Sequence, residues 1–448
     1  MRKLIKFSII LAVLFLTLFL ILFGPNSFNI ILLIGLLYLV FLFVLFYKKD
    51  KYKTGVTKFL VTVLMVFFNL IFIVFFIILL LNIPKEGSVT NRFKKELPSK
   101  YKIANFDERL KTKKIELEHM EKVHLKHLRT EKVMDIVESN YSYSDGILNF
   151  IIKKGNDKIE EEDFLNNYKF DQIAQMNKIC LIELNNIKKM MNDNQFERAK
   201  KRYLRIWKSL NILIEQNYSL HEIMIFSMIS KQAVHFAERV NIEKIRSNKI
   251  EKQILTFIEN LENSYRNSLV EEFYMWKENE LEKLPQELSD EGVYNKNNFE
   301  SIFFSWPFWD RNEFLSLLNY FLYDNYKLTS KKFYKVSNKV MKLQENRNKQ
   351  DNFPYYLTNP TGKIFVFKHT PKYVDYLNYM KREKSKLKFY SWFVSEKFND
   401  EFKNVPEDNL TGKNYKIENK SNKLIVTSKH DFSGFYSKYK LELRVSNK

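Results

Sequence analysis

The sequence predicts a mainly α-helical protein: three transmembrane helices, then an α-helical bundle or tetratricopeptide-like stack, ending in a small α+β unit with short antiparallel strands. Three observations carry that prediction. Residues 1–83 hold three long apolar runs, 7–23, 28–47 and 59–83, each near or above the roughly 20 residues that cross a bilayer. The middle of the chain repeats apolar side chains at three-four spacing, the mark of amphipathic helices. Beyond Pro406 the pattern shortens to alternation interrupted by turn residues, as short strands require. The expected division is a three-helix membrane anchor over 1–83, a linker over 84–101, a helical domain over 102–350 and a C-terminal helix-plus-strands unit over 351–448.

Charge placement orients the anchor. Arg2, Lys3 and Lys6 precede the first run, the first connection carries no charge, and the second (48–58) carries five lysines against Asp50. Short Lys-rich loops stay in the cytoplasm, so the N-terminus is expected inside and residues 84–448 on the extracytoplasmic side of a bacterial inner membrane, a multi-pass placement with the lipid bilayer as a partner. The end of the first run, Leu22-Phe23-Gly24-Pro25, lacks the small residues of a cleavage site. The three runs hold no Asp, Glu, Arg or His, which fits an anchor better than a transport pathway; Asn69, deep in the third, reads either as a helix–helix contact through its amide or as a tolerated polar residue.

Residues 84–101 read as polar linker. From Ile103 a heptad stripe runs through Phe106, Leu110, Leu117, Met120, His124, His127 and Met134, until residues 140–146 (NYSYSDG) break it. The clearest helices follow. Ile173, Met176, Cys180, Leu184 and Ile187 share one face; 192–194 make a turn; Phe196, Ala199, Tyr203, Ile206, Leu210 and Leu213 share another. Ser219 with Glu222 forms a capping box that opens a helix to Val240. Two further helices are expected over 250–263 and 269–284, the second ended by Pro285. The aromatic run Phe303, Phe304, Trp306, Phe308, Trp309, Phe314, Tyr320 and Phe321 reads either as a core helix over 310–323 or as a contact surface. After a turn at 359–362 come a β-prone run at 364–367, a helix over 373–398, and strands at 415–418, 424–428 and 441–445, with turns at 419–422 and 433–434.

Residues 405–415 (VPEDNLTGKNY) look like the Pro-x-Asp-Pro-x-Thr-Gly-Lys-x-Tyr stretch of type II secretion major-pseudopilin C-terminal domains. With the helical middle 195–240, the turn at 359–363 and the terminal strand, the chain resembles certain uncharacterised bacterial membrane proteins that carry such a unit. Asn409 stands where proline is usual, and the N-terminus MRKLIKFSII lacks the pilin cleavage site and its nearby Glu, so assembly as a pseudopilin is not expected. In this stretch Asp408 caps the turn through its carboxylate, Gly412 supplies a positive-φ position and Lys413 starts the strand. The resemblance implies a fold and an outward placement but no reaction.

The candidate chemistry is thin. His119, His124 and His127 are the tightest group of possible metal ligands. They lack the HExxH spacing and need further ligands, and His124 and His127 read rather as polar interruptions of a helix seam. Thr361-Gly362-Lys363 and Thr411-Gly412-Lys413 lack the upstream glycine of a phosphate loop, no Gly-x-Ser-x-Gly elbow exists, and His430, Asp431 and Ser433 are too close in sequence to face one another as a triad. No catalytic residue, cofactor or small-molecule substrate is identifiable. One cysteine, Cys180, excludes an internal disulfide. The net charge of +21 invites a nucleic-acid reading. The lysines are interleaved with acids and match the Lys, Asn, Ile and Phe enrichment of an AT-rich genome, which argues against it. The expected function is a non-enzymatic interaction or envelope-scaffold module that binds a protein partner or self-associates. The alternatives are an extracytoplasmic hydrolase or metal-dependent enzyme and, third, nucleic-acid binding.

Overall fold

The computed structural model describes residues 140–155, 158–160, 170–216, 219–277, 311–332, 360–398, 405–420, 423–428, 431–432, 435–436 and 439–445, with the pairs or triplets 92–93 and 101–103 and isolated positions elsewhere. Two compact units divide the chain: 1–86 with 301–310 and 353–361, and 87–300 with 311–352 and 362–448. The second contains the elements described below, its last helix from Gly362 onward.

Its helices form where apolar side chains recur at three-four spacing and stop where that spacing fails. In chain order they are α1 (Tyr141–Lys154), α2 (Phe170–Asn192), α3 (Phe196–Ile214), α4 (Leu220–Arg239), α5 (Asn248–Met275), α6 (Arg311–Thr329) and α7 (Pro360–Phe393). Helix α2 closes in a Schellman arrangement: Gln195 N–H donates to the Met190 carbonyl at 2.8 Å and Asn194 N–H to that of Met191 at 3.2 Å, with Asn194 at φ 58°. Asparagine tolerates that left-handed position better than most residues. Ser219 and Glu222 make the expected capping box at the start of α4, and the Ser247 hydroxyl accepts from Lys249 N–H to open α5. Gly155 ends α1 against α3, where an added Cβ would meet Ile212 Cγ2 at 2.7 Å and the Ile151 carbonyl at 2.9 Å. Only a residue without a side chain fits so close an approach.

Helices pack on neighbours one and two along the chain: α1 on α2 and α3, α2 on α3 and α4, α3 on α5, α4 on α5, and α5 on α6. The core between them is aromatic, with Tyr203, Trp207, Phe226, Phe257, Tyr265, Phe273, Phe314, Phe389, Tyr390 and Phe393 all buried. A three-stranded antiparallel sheet closes the unit in the order β3 (Lys416–Lys420), β4 (Lys423–Ser428), β7 (Tyr439–Arg444), with β7 against α4. Leu424 and Val426 of β4 pair with Leu443 and Leu441 of β7, so one face of the sheet is apolar and buried. Between β4 and β7 in sequence, β5 (Asp431–Phe432) pairs antiparallel with β6 (Phe435–Tyr436), and β1 (Tyr101–Ile103) pairs with β2 (Lys158–Glu160).

Several expectations are corrected. The three transmembrane helices, and with them the lipid-bilayer partner and the multi-pass inner-membrane placement, are not supported: among the described residues no helix is long and apolar enough to cross a membrane. The long helices that are described carry charges along their length: α2 has Lys178 and Glu183, and α7 has Lys381, Arg382, Glu383, Lys384, Lys386 and Lys388. The runs 7–23 and 28–47 lie outside the described residues, as does most of 59–83, including Asn69. The two helices expected over 250–263 and 269–284 are one, α5, through Met275. Residues 140–146 start α1 instead of ending a helix, and the β-prone run 364–367 lies inside α7, which Pro360 opens with the fixed φ suited to a first helical position. The start of the heptad stripe, Ile103, is in β1, and the stripe from 104 to 134 lies outside the described residues.

Candidate functional site

Along the second half of helix α7 the charged side chains are buried or half-buried, none fully exposed. Leu377, Met380, Leu387, Phe389, Tyr390 and Phe393 are buried, and so are Lys381 and Glu383, at 3 % and 2 % exposure. Charges withdrawn this far from water need partners. They come from several directions. Lys381 donates to the Thr329 carbonyl at the end of α6 and to the Lys331 carbonyl at 2.5 Å, Lys384 pairs with Glu262 of α5, and Lys386 with Glu383 at 2.8 Å. Lys388 donates to the Glu407 carbonyl at 3.2 Å. Tyr390 donates to the Tyr203 hydroxyl of α3 at 2.5 Å, and Tyr203 passes its own proton to the Ala233 carbonyl at 3.0 Å. Nearer the N-terminal end, Tyr373 and Trp276 both donate to Glu272, and Tyr265 donates to the Tyr373 carbonyl. Burial lowers the proton affinity of the Lys381 ammonium to a pKa of about 7, with Glu262 opposing and Lys384 adding to the shift. Burial also pulls Lys388 and Lys386 below the ordinary lysine range and pushes the Tyr373 and Tyr390 phenols well above theirs.

The turn that follows α7 is built on Asp408. Its Oδ1 accepts from Leu410 N–H at 2.9 Å and from Ser385 of α7; its Oδ2 accepts from Thr411 Oγ1 at 3.1 Å and from Ser428 of β4. Asp408 N–H donates to the Lys413 carbonyl at 2.9 Å, Gly412 N–H to the Asp408 carbonyl at 2.8 Å, and Gly412 stands at φ 69°. Asp408 is 1 % exposed while Lys413 faces solvent. With every carboxylate lone pair taken, Asp408 is a junction of helix, turn and strand.

A different arrangement lies on the face shared by α5 and α6. There the ring of Phe93, 4 % exposed, meets Phe273, Tyr323 and Tyr326 at centroid distances of 5.7, 5.5 and 5.7 Å, edge-on to the two tyrosines. Asn319, Tyr323 and Tyr326 follow one another at four- and three-residue steps along α6 and share a face. Asn319, fully buried, accepts the Arg92 backbone N–H at 3.0 Å through Oδ1. The Arg92 guanidinium lies 4.9 Å above the Tyr320 ring, Arg266 sits 4.3 Å above Tyr326 and Lys327 4.3 Å above Tyr323. Asp324 raises and Arg92 lowers the Tyr320 phenol's affinity for its proton, the balance lying with Asp324. Two residues with no regular secondary structure are thus held by their main chain, by one aromatic side chain and by one cation.

No protein-family model, curated protein or solved structure matches this chain. The chemistry of the site therefore rests on its own residues. His119, His124 and His127 lie outside the described residues; among the described residues no three His, Cys, Asp or Glu side chains converge to hold a metal. Cys180 is buried, and burial with Glu183 nearby pushes its thiol above the usual range, which disfavours the reactive thiolate. The aromatic run divides: Phe314 and Phe321 are core, Tyr320 is exposed at 38 %, and residues 299–310 lie outside the described set. Sequence reasoning missed Phe93, Asn319, Tyr323 and Tyr326. The signal that marks them is a lone aromatic residue in a polar stretch, NRFKK, together with tyrosines at helical spacing just past the aromatic run.

Proposed function

We propose that this chain is a non-enzymatic protein-interaction module whose helical unit binds a segment of another protein. The observation that carries the reading is the grip of α5 and α6 on Arg92–Phe93, where a buried amide side chain takes a main-chain N–H and aromatic rings enclose a side chain. Capture of backbone by hydrogen bond and of alternate side chains by pockets is how folded domains bind extended peptides. The buried ionisable groups support the same reading, because Lys381, Lys384, Lys388 and Asp408 spend their hydrogen bonds on holding helices and turn together. The test is site-specific photocrosslinking from exposed Tyr320 in the full chain in its host. The expected result is one reproducible protein adduct mapped to a defined segment. A chain that stays monodisperse and yields no reproducible adduct overturns the reading.

A further inference from the structure

We infer that Arg92 and Phe93 plug a peptide site: the chain's own segment occupies an α5–α6 pocket that, from a partner, takes a short extended segment with a basic residue followed by an aromatic one. The inference rests on the interaction reading above and names the ligand of that surface.

Three features of the pocket match such a ligand. Its floor is aromatic and takes a ring: Phe93 is enclosed by Phe273, tilted against it, and by Tyr323 and Tyr326, whose edge-to-face contacts favour a flat aromatic side chain over an aliphatic one. Its wall carries Asn319, which grips the main chain whatever side chain it bears, here through the N–H of the residue before the aromatic one. Its rim supplies the electron-rich face of Tyr320, with Asp324 near the phenol, for the cation at that same residue. Arg266 and Lys327, stacked on the outer tyrosines, make the rest of the rim basic, so an acidic residue beside the motif would be favoured. None of these contacts depends on the occupant being covalently part of the chain.

Connectivity sets the competition. A segment tethered to its own site acts at an effective concentration of order millimolar, so a partner peptide binds the closed form weakly until the plug is lifted. The plug therefore raises the threshold for partner binding, and displacement by a tight or abundant partner frees the segment that carries Arg92.

The probe is a fluorescein-labelled decapeptide of residues 88–97, SVTNRFKKEL. Fluorescence anisotropy with full chain carrying Phe93→Ala is expected to show binding at least tenfold tighter than with wild type, and the same peptide with Ala in place of the phenylalanine is expected to lose it. Equal affinity for the two chains, or no binding to the variant, overturns the plug. A second measurement needs no substitution and covers a variant that does not fold. Millimolar unlabelled peptide added to wild type is expected to speed hydrogen exchange at the Arg92 amide severalfold by displacing it from Asn319, and unchanged exchange overturns the inference. A reproducible crosslinked partner alongside a silent peptide removes the plug and leaves the interaction reading; failure of both removes both.

Discussion

A lysine ammonium leaves water only where acceptors meet its donors, and Lys381 places two of its three on main-chain carbonyls, that of Thr329 at the end of α6 and that of Lys331 just beyond it. The Thr329 carbonyl is among the orphan acceptors that every helix C-terminus presents, so one side chain of α7 satisfies what α6 cannot satisfy alone. The arrangement still costs, since burial holds the Lys381 pKa at about 7. Unfolded, the same amine titrates near 10.4, so between those two values the unfolded chain binds more protons than the folded one and stability rises with pH. Below pH 7 both states are protonated and the cost is constant. From pH 7 to pH 9 the gain is roughly 2 kcal/mol, each displaced pK unit being worth about 1.4 kcal/mol. Urea midpoints of wild type and Lys381→Met at pH 6, 7.5 and 9 check this: the substitution is expected to flatten the rise and to be best tolerated at low pH. Parallel pH profiles would show that Lys381 is not the titrating group. Nothing in the local sequence announces this residue. The stretch KREKSKLK reads as a solvated helix face, and only the elements brought around it from elsewhere in the chain turn that face inward.

At the scale of elements, the turn after α7 behaves as a rivet between helix and sheet. Asp408 accepts from Ser385 on α7, from Ser428 on β4 and from two groups of its own turn. Asp408→Ala leaves those donors buried without an acceptor, and the expected cost is about 3 kcal/mol or more, read as a lower urea midpoint. Asp408→Asn, which keeps an acceptor oxygen, is expected to lose less. Local chemistry of this kind is legible in sequence: the Asn194 turn, the Ser219–Glu222 box and the three alternating strands all follow from neighbours in the chain. Long-range chemistry is not. Helix α5 looks broken near Ser264 because serines interrupt its apolar stripe, yet Ser264 donates to the Ile214 carbonyl of α3 and Ser268 to the Tyr265 carbonyl. Hydroxyls that find carbonyls behave as core residues, and the pattern of polar and apolar letters does not record that. Likewise the β-prone run 364–367 is helical because it continues α7, where tertiary context outweighs strand propensity.

At the scale of the unit, α7 unites parts that are far apart in sequence, through Tyr203 of α3, Glu262 and Glu272 of α5, the end of α6 and the Asp408 turn. Buried or half-buried along its length from Lys381 to Phe393, it is expected to hold the slowest-exchanging amides of the unit. Native-state hydrogen exchange checks this, and amides of α1 or the β5–β6 hairpin outlasting those of α7 would contradict it. A helix with lysines at 381, 384, 386 and 388 reads as peripheral by composition, so its central position was the least legible part of the fold. The candidate interaction face was half legible: the aromatic run pointed toward α6, but its occupant came from a stretch read as linker.

The order in which the ribosome delivers these parts has a consequence of its own. Helices α3 and α5 are complete well before α7, with about 180 residues separating the ends of α3 and α7. At 5–20 residues per second that is roughly 10–40 s of synthesis. From their own synthesis onward, Tyr203, Trp207 and Tyr265 await the helix that covers them, and Glu262 and Glu272 await its lysine and tyrosine. The helices made first thus keep an apolar side uncovered until α7 has emerged, and over that interval it is open to association with neighbouring chains.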